Sequence, residues 1–277
     1  MKVFTFLCAM FLLSISTCSN AITITSLNIK WFGLNGEMSN DLGNEERAPS
    51  VRKYLSETGL LASDILIFQE IVDVGLLESK VMGRSHVCQS YDNENTKHQH
   101  VVVCVKSKYK MEAADKDGYV LNSVSLDGKV RPAVHGIVTI DGKQLHIFGV
   151  HLKAIPAFSK WRMTQVQLLT DYIRERSDEP VLIIGDFNAY GADAASFSDI
   201  FSQDGLSEVT TPEKYSWASA SEKYPREKFD RAWSRGMGIE SAHIVGPCNV
   251  GTLPEVKAYN GKVSDHCALS IKVRIPE

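Results

Sequence analysis

Val181-Leu182-Ile183-Ile184-Gly185-Asp186-Phe187-Asn188-Ala189 decides how the rest of the 277-residue chain is read. An apolar run of this length that stops at a glycine reads as a strand, and an acid and an amide follow it at once. A strand interior hides polar groups at a cost, whereas a strand end lets a carboxylate or amide project from a rigid support into a cleft. The same arrangement recurs on either side of this stretch. Asn28 closes the run Ile22 to Ile29, Glu70 follows Asp64 to Gln69, and His151 closes Leu145 to His151. Asp265 and His266 immediately precede Cys267 to Val273.

Further strand signals lie at Val101 to Lys106, Ala133 to Ile140 and Phe229 to Trp233. Helical spacing appears in Arg47 to Thr58, in Ala192 to Phe201 and most clearly in Ser159 to Arg176, where Val166, Leu169 and Ile173 share one face. Ile140-Asp141-Gly142-Lys143 reads as a hairpin turn. Strands and helices interleaved in this way predict an α/β (α+β) arrangement, a mixed sheet system covered by helices. No repeat, low-complexity stretch or linker divides residues 22–277, so they are expected to form one domain. Gly33 to Glu46, rich in Gly and Asn, is long for a connection and is expected to be mobile or to border a site.

Composition narrows the class. At 44% hydrophobic and 23% charged the chain is globular, which excludes disordered, collagenous and multi-span membrane proteins. Thirty basic against 33 acidic side chains leave −3, so a polyanionic substrate would have to be held locally rather than by overall charge. Lys2, the apolar run Val3 to Ile15 and the small residues Ser19-Asn20-Ala21 read as a secretory signal peptide over residues 1–21, cut after Ala21 or just after Cys18. The run is too short to span a bilayer. A secreted or periplasmic destination permits disulfides among Cys88, Cys104, Cys248 and Cys267, which allow three connectivities. Cys88 with Cys104 is favoured, because a turn-like segment lies midway between them, and Cys248 with Cys267 follows by elimination. Four buried thiols are the alternative.

Each polar residue at a strand end has an ordinary explanation. Glu70 reads as the first solvated residue of a loop, Asn28 as a turn residue, His151 as a structural histidine, and Asp186 with Asn188 as an Asx-turn pair. Independent turn residues have no reason to combine a set of hard-cation carboxylates with two histidines, so these explanations weaken together.

In chain order, Ser-Leu-Asn-Ile-Lys-Trp-Phe-Gly (26–33), Phe-Gln-Glu (68–70), Val-His-Leu-Lys (150–153), Gly-Asp-Phe-Asn-Ala (185–189), Phe-Asp-Arg (229–231) and Ser-Asp-His (264–266) resemble the endonuclease/exonuclease/phosphatase superfamily, in its deoxyribonuclease I-like branch. The resemblance runs from about Ile22 to Val273 and implies a four-layer α/β/β/α sandwich with a metal-dependent phosphoesterase site at one edge. It implies Glu70 as the main Mg2+ carboxylate, with Asn28 and Asp265 near the ion or its waters. Mn2+ would suit the same oxygen ligands, and Ca2+ is admitted as a structural or auxiliary ion. Asp186 and Asn188 resemble the pair that orients the attacking water and a phosphate oxygen. His151 and His266 resemble the flanking histidines, and Asp230 the carboxylate that fixes the second ring. Arg131, in Arg131-Pro132-Ala133-Val134, resembles an arginine that contacts a substrate phosphate. Gln99 stands where the branch carries a glutamate partner for the first histidine, so His151 is expected to be less basic, or Glu94 to substitute.

The function expected is a secreted, Mg2+-dependent DNA endonuclease of little sequence preference, acting as a monomer without stable membrane association. A sphingomyelinase-type phospholipase C of the same superfamily and the nuclease subunit of a toxin are the alternatives, and a partner chain is left open. Lys106, Lys108, Lys110, Arg226, Lys228, Arg231 and Arg235 are candidates for backbone tracking or for plain solvation of a face. Trp31 and Trp161 are expected in the core ahead of any stacking role.

Overall fold

A computed structural model describes residues 21–34, 44–91 and 99–276, apart from 115, 117, 177, 178 and 222. Residues 1–20 of the expected signal peptide, most of the Gly33 to Glu46 connection and Glu94 lie outside the described residues. The strands are β1 (Ile22–Phe32), β2 (Ile65–Ile71), β3 (His86–Gln89), β4 (His100–Lys106), β5 (Lys110–Ala113), β6 (Val120–Leu121) and β7 (Ala133–Ile140). They continue as β8 (Lys143–His151), β9 (Val181–Asp186), β10 (Ser207–Glu208), β11 (Asp230–Arg235), β12 (Gly238–Val245) and β13 (Ala268–Arg274). The helices are α1 (Asn44–Glu57), α2 (Val74–Leu76), α3 (Ser159–Arg174), α4 (Asp193–Ser202) and α5 (Leu253–Lys262).

One sheet has the order β12-β13-β1-β2-β4-β3, and the other β10-β11-β9-β8-β7-β5 with β6 paired to β7. Period-two alternation builds the layers. Ile65 and Ile67 of β2 and Leu182 and Ile184 of β9 point between the sheets, while Leu66, Phe68 and Ile183 point outward. Ala48, Val51 and Leu55 of α1 cover one outer face. Val166, Leu169 and Ile173 of α3, with Phe197 and Phe201 of α4, cover the other. The result is the four-layer α/β/β/α sandwich, and each fully buried aliphatic side chain stabilises it by about 1.5–3 kcal/mol.

The two parallel pairs matter most for the site. β1 runs parallel to β2, and β8 parallel to β9, so the carboxyl ends of all four strands reach one edge of the sandwich. There the inward-pointing rows change from apolar to polar. In one sheet Ile22, Ile24 and Ser26 lead to Asn28. In the other, register aligns His151, Asp186 and Asp230 across β8, β9 and β11, with all three side chains on the same face. Gly185 is required within this row, because its φ is +151° and a Cβ would lie 2.0 Å from the Val150 carbonyl oxygen.

Cys88 pairs with Cys104 across β3 and β4, and Cys248 with Cys267, as favoured from the sequence. Asp141 and Gly142, at φ 50° and 79°, form the expected hairpin turn between β7 and β8. Trp31 and Trp161 are half-buried rather than core residues; Trp233 is the fully buried tryptophan.

Candidate active site

Glu70 would point outward if β2 kept its alternation. Instead its φ is 60°, and a bulge between Phe68 and Ile71 turns the carboxylate to the site. A matching irregularity in β1, with Lys30 and Trp31 at φ 37° and 49°, brings the Trp31 amide to Glu70 Oε2 at 3.1 Å. Strained backbone of this kind persists only where its surroundings over-determine it. Here buried Arg47 of α1 donates to the carbonyls of Ile29, Lys30 and Val263, a clamp with no signature in the sequence.

Asn28 sits at the centre. Its amide nitrogen donates to Glu70 Oε1 and to Asp186 Oδ2, both at 3.0 Å, and so joins the two sheets. Asp186 Oδ1 accepts the Asn188 amide at 2.9 Å, and the Asn188 side chain donates to the Leu152 carbonyl. Burial raises the pKa of both Glu70 and Asp186. Ser264 Oγ donates to the Asn28 carbonyl and accepts the His266 amide, which fixes the start of the last segment against β1.

The two histidines differ. His266 Nδ1 donates to Asp230 Oδ2 at 2.8 Å. Burial opposes its charge, but Asp230 and Asp186 outweigh it and bring the imidazole to about 10, so it is a cation at neutral pH. His151 is driven well below 6.5 by burial, with Arg131 and His266 adding to the effect, and is neutral. Its Nε2 lies 3.4 Å from Asp186 Oδ2 and 3.9 Å from Glu70 Oε1.

Gln99 is not the partner of His151. It donates to Glu70 Oε2 at 3.2 Å and accepts from Arg131 Nη1 at 2.6 Å, while His151 Nδ1 has no hydrogen-bond partner among the described residues. The low basicity expected of His151 is present, but its cause is burial. Arg131 also donates to the carbonyls of His151 and Leu152. Three donors are thereby used, and a guanidinium with five N–H groups keeps others for a phosphate.

Ligand atoms of Glu70, His151 and Asp186 all lie within 4.8 Å of one another. Buried carboxylates gathered this closely fit a divalent cation, which would relieve their mutual repulsion. Asp265 is not one of these three and pairs with Lys30 at 3.4 Å. Of the basic residues read as backbone trackers, Arg226 binds the carbonyls of Cys248, Asn249 and Gly251, Arg231 pairs with Glu208, and Arg235 binds the carbonyls of Asp204 and Arg176. Lys106 and Lys108 pair with Asp64, which precedes β2 at the edge opposite Glu70.

A carboxylate cluster, a histidine held by a buried acid and a second histidine thus meet at the edge of a two-sheet sandwich. The chain belongs to the Endonuclease/Exonuclease/phosphatase family, whose model matches residues 26–266. A tyrosyl-DNA phosphodiesterase 2 from Gallus gallus is 26% identical over 247 residues, 83% of this chain and 62% of that protein, so the chain spans about three-fifths of this relative's length. Among solved structures, a humanized D. rerio TDP2 carrying 14 mutations is similar at TM-score 0.70 and 17% identity, covering 92% of this chain and 99% of that one. D. rerio TDP2 in complex with a single-strand DNA product is similar at TM-score 0.65 and 18% identity, covering 92% and 99%. A family member from Bacteroides thetaiotaomicron follows at TM-score 0.67 and 15% identity, covering 94% and 99%.

Proposed function

We propose that the chain is a secreted or periplasmic, Mg2+-dependent DNA endonuclease of little sequence preference, whose residues 22–277 act as one catalytic domain after loss of the 1–21 leader. The observation that carries the hydrolytic reading is Asp186 Oδ2, which faces both histidines beside Glu70. Glu70, with Asp186 and Asn28 beside it, would hold the ion, which when bound supplies Lewis-acid polarisation of a phosphoryl oxygen. Asp186 offers the acceptor for a proton of the attacking water, and the Asn188 amide fixes that carboxylate. His266, held charged by Asp230, stabilises the negative charge that develops on the phosphoryl oxygens. Arg131 is placed to grip a neighbouring phosphate.

DNA is favoured as substrate by cationic side chains beside the cleft and by likeness to a tyrosyl-DNA phosphodiesterase. A phospholipase would be expected to expose an apolar hairpin. The large exposed apolar residues among the described ones are the scattered Val87, Ile155, Tyr224, Ile239 and Val250, of which Ile155 borders the cleft. The test uses the oxidised mature chain on supercoiled plasmid and on sphingomyelin, each with Mg2+ and with chelator. Chelator-sensitive nicking supports the proposal, whereas phosphocholine release with the plasmid intact would move the substrate to the membrane.

A further inference from the structure

Two grooves border the reacting centre. One, of about 450 Å3, is lined by Glu70 and His151 together with Lys129, Arg131 and Lys153. The other, of about 550 Å3, begins at Asp265, next to His266, and is lined by Lys30, Lys257 and Lys262. Each groove therefore carries three cationic side chains, of which Lys30 is paired with Asp265.

Lys30 pairs with Asp265, and Arg131 donates to Gln99 and to two carbonyls, so the groups left for a polyanion here are exposed lysines. Lys257 and Lys262 are exposed on α5 and form no ion pair among the described residues. Glu255, the acid on the same helix, is committed to the cap, where it accepts from the backbone and hydroxyl of Thr252. Lys129, on the opposite side, is likewise exposed and forms no ion pair among the described residues. Unpaired ammonium groups on a chain of net charge −3 are attractive to a polyanion only where they are grouped, and here they border the hydrolytic centre.

We infer that a nucleic-acid strand crosses the centre with phosphates held on both sides, and that Lys257 and Lys262 grip it on the His266 side. The inference rests on the nuclease reading and deepens it. An enzyme that trims a terminal group needs polymer on only one side of the scissile phosphorus, whereas two cationic grooves fit an internal bond. Lysine is suited to this task as a mobile point charge that recognises phosphate without reading bases.

The test compares the wild-type mature chain with the Lys257→Ala/Lys262→Ala variant on supercoiled plasmid, on circular single-stranded DNA and on bis(p-nitrophenyl) phosphate, all with Mg2+. Both positions are exposed on a helix, and circular dichroism verifies that the variant is folded. The ratio of kcat/KM on plasmid to kcat/KM on the small diester is expected to fall roughly tenfold or more near physiological salt. The log–log salt dependence on plasmid should become shallower by about 1 for each lysine removed. Wild-type cleavage of the circular single strand is expected, since it has no ends. Plasmid nicking by a variant whose ratio and salt slope match wild type overturns the inference and leaves the nuclease reading standing. A wild-type chain that hydrolyses the small diester but leaves every DNA intact overturns both.

Discussion

His151 Nε2 and His266 Nε2 face a single oxygen, Asp186 Oδ2, at 3.4 and 3.7 Å, and they do so in opposite charge states. Burial acts on both rings, and only His266 has a buried carboxylate on its other nitrogen, Asp230 at 2.8 Å. The division of labour between the histidines therefore depends on Asp230. Asp230→Asn keeps the shape and removes the charge, so the imidazolium loses its main support. The expected outcome is a fall in kcat of about a hundredfold or more, with KM changed far less, on bis(p-nitrophenyl) phosphate with Mg2+. A kcat within a few-fold of wild type in a variant of normal near-UV circular dichroism would show that the charge on His266 is not used.

Glu70, proposed to hold the ion, carries a cost in stability. Its carboxyl is buried beside Asn28, and burial and Asp265 both raise its pKa. Without a cation the ionised form is therefore unfavourable in the fold. Glu70→Gln is expected to unfold at the same temperature as wild type or higher when chelator is present, since it removes a buried charge. With saturating Mg2+ the order should reverse. Ligand at about 100 times its Kd stabilises by about 2.7 kcal/mol, which in a chain of this size is a rise of roughly 5–10 °C in Tm. Thermal melts of the two proteins with and without Mg2+ decide it, and equal Mg2+ responses would remove Glu70 from the ion's ligands.

The parts of the fold legible in the sequence are those where burial is one-sided or complete. Val181 to Gly185, Asp64 to Gln69 and the Val166, Leu169 and Ile173 stripe are read directly, because water exclusion writes itself into apolar spacing. β12 leaves no such pattern, since as an edge strand it buries only Ala242 and Ile244. α5 buries Val256 as its one apolar anchor, and its true signal was the Thr252-x-x-Glu255 capping box ahead of it. In the site, Asn28, Glu70, His151, Asp186, Asp230 and His266 come together because each lies at a strand end, or at an irregularity close to one, along the same edge. The Arg47 clamp, the engagement of Gln99 and the grouping of Lys257 and Lys262 with Lys30 depend on which distant segments meet, and local spacing carries no record of that.

Gln99 bridges Glu70 and Arg131, and so connects the carboxylate proposed to hold the ion to the guanidinium proposed to grip phosphate. As a neutral amide it donates to one and accepts from the other, which a carboxylate cannot do. Gln99→Glu would set a second anion against Glu70 Oε2 while strengthening the pair with Arg131. The expected outcome is altered Mg2+ dependence, with half-saturation moved several-fold, and a KM for plasmid raised because Arg131 is held more tightly. A pH profile changed through His151 with Mg2+ dependence intact would instead assign Gln99 to the histidine.

The buried pair His135 and His146 sets an acid limit on stability far from the chemistry. His135 stacks on Phe148, its Nδ1 meets the Tyr172 hydroxyl at 3.0 Å and its Nε2 meets His146 Nδ1 at 3.0 Å. Burial, with His146 and Arg176 adding to it, lowers its pKa to about 2, so the fold holds the ring neutral. The unfolded chain titrates near 6.5 and binds a proton that the native state refuses. Stability is therefore full above that value and declines as pH falls below it, by up to about 1.4 kcal/mol per pH unit for this one ring. His135→Phe keeps the stacking and removes the titration, at the expense of the two hydrogen bonds. Urea unfolding at pH 7.5 and 5 is expected to show a smaller loss on acidification for the variant than for wild type, by about 1–2 kcal/mol, even though the variant starts less stable at pH 7.5. Equal losses in the two proteins would place the acid sensitivity elsewhere.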